Sequence, residues 1–283
     1  MWMFRKKKVI QLSRNESENN HILSEGVMIK KFLIFLLIQG LVISFPFGSS
    51  SAPVHVPGRP LLSVQIDSKN PANITFEGDF VTDRELQNDA QITRSNWATL
   101  KATGIFMNDR VQPYILLGTL FDGEFKQEVD GVDIKYITED AFTWGAGTTI
   151  LVHKITDRLG LGLDVKYRQT NPDVGKVKID GVSFSRDDAN VSLGCNYQEW
   201  QAALGLSGLT ENFIGYGGIK YSDVKTSLKT KAGGIDTEKM LNSANKVGIF
   251  LGCEFICTEN ATIGLEGRFI DEQAYTFFMT IHF

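Results

Sequence analysis

The sequence predicts an all-β chain, a transmembrane antiparallel up-and-down β-barrel of about ten strands. Three observations carry this. The chain ends in QAYTFFMTIHF, where Tyr275, Phe277, Met279, Ile281 and Phe283 share one face and Ala274, Thr276, Thr280 and His282 the other, with Phe278 as the misfit. The same alternation recurs from Ile74 onward, and the links between alternating segments are short and long in turn. An apolar terminal strand in water would fray or aggregate. In a membrane barrel, lipid covers its apolar face and the first strand covers its edge. A soluble sandwich with a buried last strand would account for the ending alone, but gives no reason to segregate long links to one end.

Composition is compatible with this. The 283 residues carry a formal net charge of -4, and no basic run with interleaved aromatics points to a nucleic-acid partner. Hydrophobic content of 42% is ordinary, as expected when lipid-facing and lumen-facing residues alternate. The 27 glycines and 19 phenylalanines suit closely spaced strands with aromatic girdles. Cys253 and Cys257 lie about 13 Å apart at strand rise, too far to bridge, and Cys195 is left over. No Cys/His spacing suggests a metal, and no cofactor is expected.

Residues 1–27 are polar and unpatterned and read as an upstream extension from a start placed too early; a long signal or an uncleaved anchor is the alternative. Met28 then opens MIKKFLIFLLIQGLVISFPFGSSSA, a basic region, an apolar run and a small-residue end, so residues 28–52 read as a secretory signal cleaved near Ser51 or Ala52. Residues 53–72, with four prolines, read as a periplasmic tail, and residues 73–283 as the barrel.

Within the barrel, Ile74, Phe76, Gly78 and Phe80 oppose Thr75, Glu77 and Asp79, and Leu100, Ala102, Gly104 and Phe106 oppose Thr99, Lys101 and Thr103. Val111 to Phe121 is apolar on both faces, so its orientation is unreadable. Phe142, Trp144, Ala146, Ile150 and Val152 oppose Thr143, Gly145, Gly147, Thr149 and His153. The clearest segment sets Leu159, Leu161, Leu163, Val165 and Tyr167 against Gly160, Gly162, Asp164, Lys166 and Arg168. Trp200, Ala202, Leu204 and Leu206 oppose Gln201, Gly205 and Ser207; Phe213, Ile219 and Tyr221 oppose Lys220 and Ser222. Val247, Ile249, Leu251 and Phe255 oppose Gly248, Gly252 and Glu254, and Ile263, Leu265 and Phe269 oppose Thr262, Gly264, Glu266 and Arg268. With the terminal strand this makes about ten, each near the roughly 9 to 11 residues needed to cross a bilayer at a tilt.

The short links are 107–110, 154–158, 208–212 and 258–260; the long polar ones are 82–96, 122–140, 169–197 and 225–243, and Asp271–Glu272 is tight. Short periplasmic turns and long external loops are the barrel pattern. The 169–197 link alternates internally, at Val177 to Phe184 and Val191 to Cys195, so it is either a hairpin above the membrane or an extra strand pair, and eight or twelve strands remain open.

The ending QAYTFFMTIHF resembles the C-terminal signature of Gram-negative outer-membrane β-barrels, whose last strand closes on Phe. The resemblance implies location in the cell outer membrane, contact with its lipid, and reading of Tyr275, Phe277, Met279, Ile281 and Phe283 by the barrel-assembly machinery.

The inward charges are then Glu77, Asp79, Lys101, Asp164, Lys166, Arg168, Lys220, Glu254, Glu266 and Arg268, with Lys246 also placed inward, and their signs nearly balance. Charges in a narrow lumen must pair or stay wet. Two uses fit: a tight interior of ion pairs in a structural or adhesive barrel whose external loops bind a ligand, or a small hydrated pore for small solutes. The inward glycines Gly145, Gly147, Gly160, Gly162, Gly248, Gly252 and Gly264 leave room at the wall and favour the pore.

An enzyme is not expected. His55 lies in the tail, His153 beside a periplasmic turn and His282 at the periplasmic end, none placed for external chemistry. The acids Glu124, Glu128, Asp130, Asp133, Glu139 and Asp140 read as a solvated loop face or loose cation site, without the spacing of a calcium loop.

Finally, EWQAALGLSG, FIGYGGIKYSDVK and ATIGLEGRFIDEQAYTFF resemble late strands of the chlamydial major outer-membrane porin and related small barrels. The likeness covers the last third of the chain, which has fewer cysteines and a shorter length than that family; it implies a general porin.

Overall fold

A computed structural model describes residues 72–107, 110–129, 131–185, 192–232 and 235–283. The extension, the signal, the tail with its His55, and Asp130 lie outside the described residues. Fourteen strands follow in order: β1 (Ala72–Leu86), β2 (Ala90–Gly104), β3 (Val111–Val129), β4 (Val132–Thr138), β5 (Ala141–Thr156), β6 (Leu159–Thr170), β7 (Val174–Ile179), β8 (Val182–Ser185), β9 (Ser192–Leu209), β10 (Phe213–Ala232), β11 (Ile235–Asn242), β12 (Val247–Thr258), β13 (Ala261–Phe269) and β14 (Gln273–His282).

Ten of these close a ring in the order β1-β14-β13-β12-β10-β9-β6-β5-β3-β2, and β2 pairs back to β1. The seam is antiparallel β1–β14, running from Asn73↔His282 to Asp83↔Gln273, so the last strand has no free edge. The ten segments read from alternation are these ten strands. The Val177 to Phe184 alternation forms the β7–β8 hairpin, which pairs onto β4 rather than entering the ring, so the count stays at ten.

The long links differ from expectation: most of their length is strand rather than loop. β3 runs 19 residues and returns as β4, while β10 runs 20 and returns as β11. The 82–96 link is the continuation of β1 and β2 around a turn in which Asn88 and Asp89 take positive φ. In this β1–β2 extension bulges interrupt the two-residue period, at Val81/Asp83 and again at Ile92/Arg94 and Arg94/Asn96.

Where the period is unbroken, burial follows it. Along β14, Ala274, Thr276, Phe278, Thr280 and His282 are buried while Tyr275 and Phe283 are exposed. Large apolar residues cover the outside, among them Phe76, Ile115, Phe142, Trp200, Ile219 and Leu251. In β3, Gln112, Tyr114 and Leu116 point inward and Ile115 and Leu117 outward. The outer, long-link half of the interior holds an apolar cluster that includes Leu86, Ile92, Trp97, Phe125, Tyr197 and Leu241.

Candidate functional site

The lumen holds the chemistry of this fold. All ten charged positions read from the sequence as inward, Glu77, Asp79, Lys101, Asp164, Lys166, Arg168, Lys220, Glu254, Glu266 and Arg268, are buried. They divide into two layers.

Toward the outer end lies an ion-pair layer that crosses the ring. Arg84 of β1 meets Glu199 of β9 at 3.2 Å, and these strands stand five places apart in either direction around the ring. Arg84 also donates to Glu272 at 3.3 Å, to Ser222 Oγ at 2.9 Å and to Ser243 Oγ at 3.2 Å. Arg168 of β6 bridges Glu199 at 3.0 Å and Asp79 of β1 at 3.4 Å, and its guanidinium lies 3.9 Å from the Trp97 ring centroid. Arg268 pairs with Asp79 at 2.5 Å and with Glu272 at 2.9 Å, and Lys220 pairs with both Asp271 and Glu272. Four cations thus face the four carboxylates Asp79, Glu199, Asp271 and Glu272, which is how such charges survive away from water. Trp97 and Tyr197, on β2 and β9, meet just beyond at 5.5 Å between ring centroids.

The periplasmic layer is more hydroxyl-rich. Asp164 accepts from Tyr114 and Thr149, both at 2.9 Å, and Lys101 lies 4.1 Å from the Tyr114 ring centroid. Tyr216 donates to Glu266 at 3.1 Å, Thr99 to Glu77 at 3.1 Å, and Thr262 to Glu254. His282 shares a 2.7 Å hydrogen bond with Asn73.

Several expectations need correcting. Lys246 is not in the lumen: it pairs at 2.9 Å with Asp223 at the partly exposed outer rim. Leu151 continues the inward row from Thr149, and a bulge between Leu151 and His153 then turns His153 outward and leaves it exposed. Three of the inward glycines, Gly147, Gly252 and Gly264, do not leave open space, because they seat aromatic rings, while a Cβ on Gly145 would meet the Tyr167 backbone oxygen and one on Gly248 the Asp271 carboxylate. A Cβ on Gly252 would stand 2.1 Å from Tyr216, one on Gly147 2.5 Å from Tyr114, and one on Gly264 2.2 Å from Phe278. Phe278, the misfit of the terminal strand, is therefore an inward residue with a prepared seat.

Alternation in the sequence does not bring out Arg84, Glu199, Asp271 and Glu272: Arg84 sits in the long 82–96 link beyond the bulge at Val81/Asp83, and Asp271 and Glu272 in a tight link. Glu199 was accessible, since stepping back one residue from outward Trp200 places it inward.

An apolar exterior, a ring without edges and charges confined to its interior leave one solvent for the outer face, a bilayer. The chain is a closed transmembrane β-barrel, the fold of outer-membrane proteins. No protein-family model and no curated protein matches it. Solved structures that it is similar to include the outer membrane protease OmpT from Escherichia coli, at 10% identity and a TM-score of 0.44 over 76% of this chain and 98% of that one. The translocator domain of the autotransporter NalP from Neisseria meningitidis is 12% identical, with a TM-score of 0.38 over 80% and 93%. OprG from Pseudomonas aeruginosa is 14% identical, with a TM-score of 0.37 over 76% and 97%.

Outside the membrane, the acidic run of the 122–140 link is dispersed rather than gathered. Asp122 pairs with Arg94 at 3.2 Å, Asp133 with Lys126 at 3.0 Å, and Glu124 with Lys135 at 3.2 Å. Burial alone would raise the Glu124 carboxyl, but hydrogen bonds from Thr93 and Lys135 outweigh it and hold this group below the ordinary glutamate range.

Proposed function

We propose that the barrel is a closed membrane scaffold that presents its β-strand extensions outside the cell as the contact surface for a ligand or partner. The observation that carries this is the Arg84–Glu199 contact, in which side chains of opposite walls touch across the lumen. The apolar cluster beyond it, from Leu86 to Leu241, supports the same reading. The extensions supply the surface: β4, β7 and β8 continue the sheet from β3, and β11 continues it from β10. Delivery to the membrane through recognition of Tyr275, Phe277, Met279, Ile281 and Phe283 by the assembly machinery belongs to the same proposal.

Porin-like passive diffusion of small solutes is the competing reading. It needs the Arg84, Arg168 and Arg268 layer to part, and three of the glycines that would widen the wall, Gly147, Gly252 and Gly264, seat aromatic rings instead. Liposome swelling separates the two. Proteoliposomes holding the folded mature barrel swell in arabinose no faster than empty ones if the scaffold reading holds, whereas sugar-size-dependent swelling supports the porin.

A further inference from the structure

The 270–272 link between β13 and β14 is seated in the outer mouth at a cost. Ile270 has a φ of 84°, in the left-handed region. Asn88, Asp89, Asp122 and Asp180 share that region and are of the types that tolerate it, whereas Ile270 is the one β-branched residue there among the described residues. Its side chain is 68% exposed, so no packing offsets the strain. Asp271 and Glu272 turn the other way and are buried. Glu272 is matched by Arg84, Arg268 and Lys220, from three strands. Asp271 reaches Lys220 at 2.7 Å and has no other hydrogen-bond partner among the described residues. It fits because Gly248 of β12 has no Cβ to strike its carboxylate. One lysine thus serves two adjacent carboxylates. A backbone outlier over-determined by its side-chain contacts is characteristic of switch segments.

We propose that this link is a latch with two positions, seated in the mouth while Asp271 is protonated and lifted into water once Asp271 is charged. Seated, it ties β1, β10 and β13 together through Glu272. Lifted, Ile270 leaves the left-handed region, both carboxylates are hydrated, and Arg84, Arg268 and Lys220 lose their shared partner. The lifting side is the low wall of the mouth, since β13 and β14 have 9 and 10 residues where β3 and β10 have 19 and 20. The charged groups facing the two carboxylates are Lys220 from β10, Arg268 from β13, Arg84 and Asp79 from β1, and Glu199 from β9. At the rim, Lys246 is taken by Asp223. Burial first and the neighbouring Glu272 second raise the Asp271 carboxyl above the ordinary aspartate range, against the pull of Lys220 and Arg84. Burial would raise Glu272 too, but Lys220, Arg268 and Arg84 outweigh it and keep that carboxyl low, so Glu272 stays charged while Asp271 titrates. The seat is therefore fully stable below the ordinary aspartate value of 3.8 and weakens as pH rises through the raised one.

Amide hydrogen exchange of the full mature barrel in detergent micelles tests this, read as protection factors relative to the intrinsic rate at each pH. Between about pH 4.5 and about pH 8.5, protection of residues 270–274 falls by about tenfold per pH unit until Asp271 is charged in the seat, while β6 serves as the internal reference. Asp271→Asn keeps the acid level of protection at every pH. Ile270→Asn, which relieves the left-handed strain at an exposed position, raises protection by about fivefold or more across the range. Both variants are checked for folding by heat-modifiable migration; should Asp271→Asn not fold, the wild-type profile and Ile270→Asn still decide. A wild-type profile flat in pH, a pH dependence retained by Asp271→Asn, or an Ile270→Asn profile equal to the wild type overturns the latch. Local exchange is separate from permeability: sugar-permeable wild-type barrels would sink the scaffold reading and leave the latch standing, whereas a flat exchange profile sinks the latch alone.

Discussion

Arg84 and Glu199 join opposite walls of the barrel, with Nη1 and Oε1 3.2 Å apart and both side chains buried. Each is held by further partners, Arg84 by Ser222 and Ser243 and Glu199 by Arg168, so the contact is the centre of a network rather than an isolated pair. Removing one member of a buried pair strands the other's charge, at a cost of about 3–5 kcal/mol. Arg84→Ala therefore lowers the temperature at which the folded gel band converts to the unfolded one. An unchanged conversion temperature would show that the network adds no stability.

The inward aromatics and their glycine seats act as units. Gly264→Leu drives a side chain into Phe278, whose ring a Cβ would already meet at 2.2 Å. Overpacking of this kind costs about 1–3 kcal/mol. Adding Phe278→Ala recovers much of that loss, and the double-mutant cycle in detergent gives a non-zero coupling. Additive effects would place Phe278 elsewhere.

Burial among apolar side chains pushes the Cys195 thiol up to about 12. At pH 8 the thiolate is scarce and the site closed. Mass spectrometry after maleimide treatment of the folded barrel finds Cys195 unmodified, and denaturation exposes it. Rapid labelling of the native protein contradicts the packing of the outer end.

Glu124 anchors β3 to β4 through Lys135 and to β2 through Thr93. Because its folded-state carboxyl titrates below the ordinary range, its contribution is present above the unfolded glutamate value of 4.5 and is lost as pH falls through the depressed one. Protection factors of β4 and β7, taken relative to the intrinsic amide exchange rate at each pH, are accordingly lower in acid than at neutrality. Glu124→Gln shows faster exchange already at pH 7, while exchange in β13 and β14 is unaffected. The effect is small, since both partners are partly solvated.

Legibility in this sequence followed the regularity of the pleat. β6, from Leu159 to Arg168, alternates without a break, and each of its inward positions could be assigned. Single bulges defeated the same reading at Val81/Asp83 and Leu151/His153, and with it the positions of Arg84 and His153. β3 was opaque for another reason: Tyr114 and Leu116 fill the lumen while Ile115 and Leu117 face outward, so both faces look apolar. Sequence also could not tell whether a glycine leaves a gap or a seat, because Gly252 depends on Tyr216 of the neighbouring strand.

Planar-bilayer recording of the mature, heat-modifiable barrel tests the closed lumen most directly. The wild type inserts without resolvable channel current, and Arg84→Ser/Arg168→Ser/Trp97→Ala, which thins the side chains spanning the ring, gives discrete conductance steps. Stable conductance from the wild type, unchanged in that triple variant, would contradict the account.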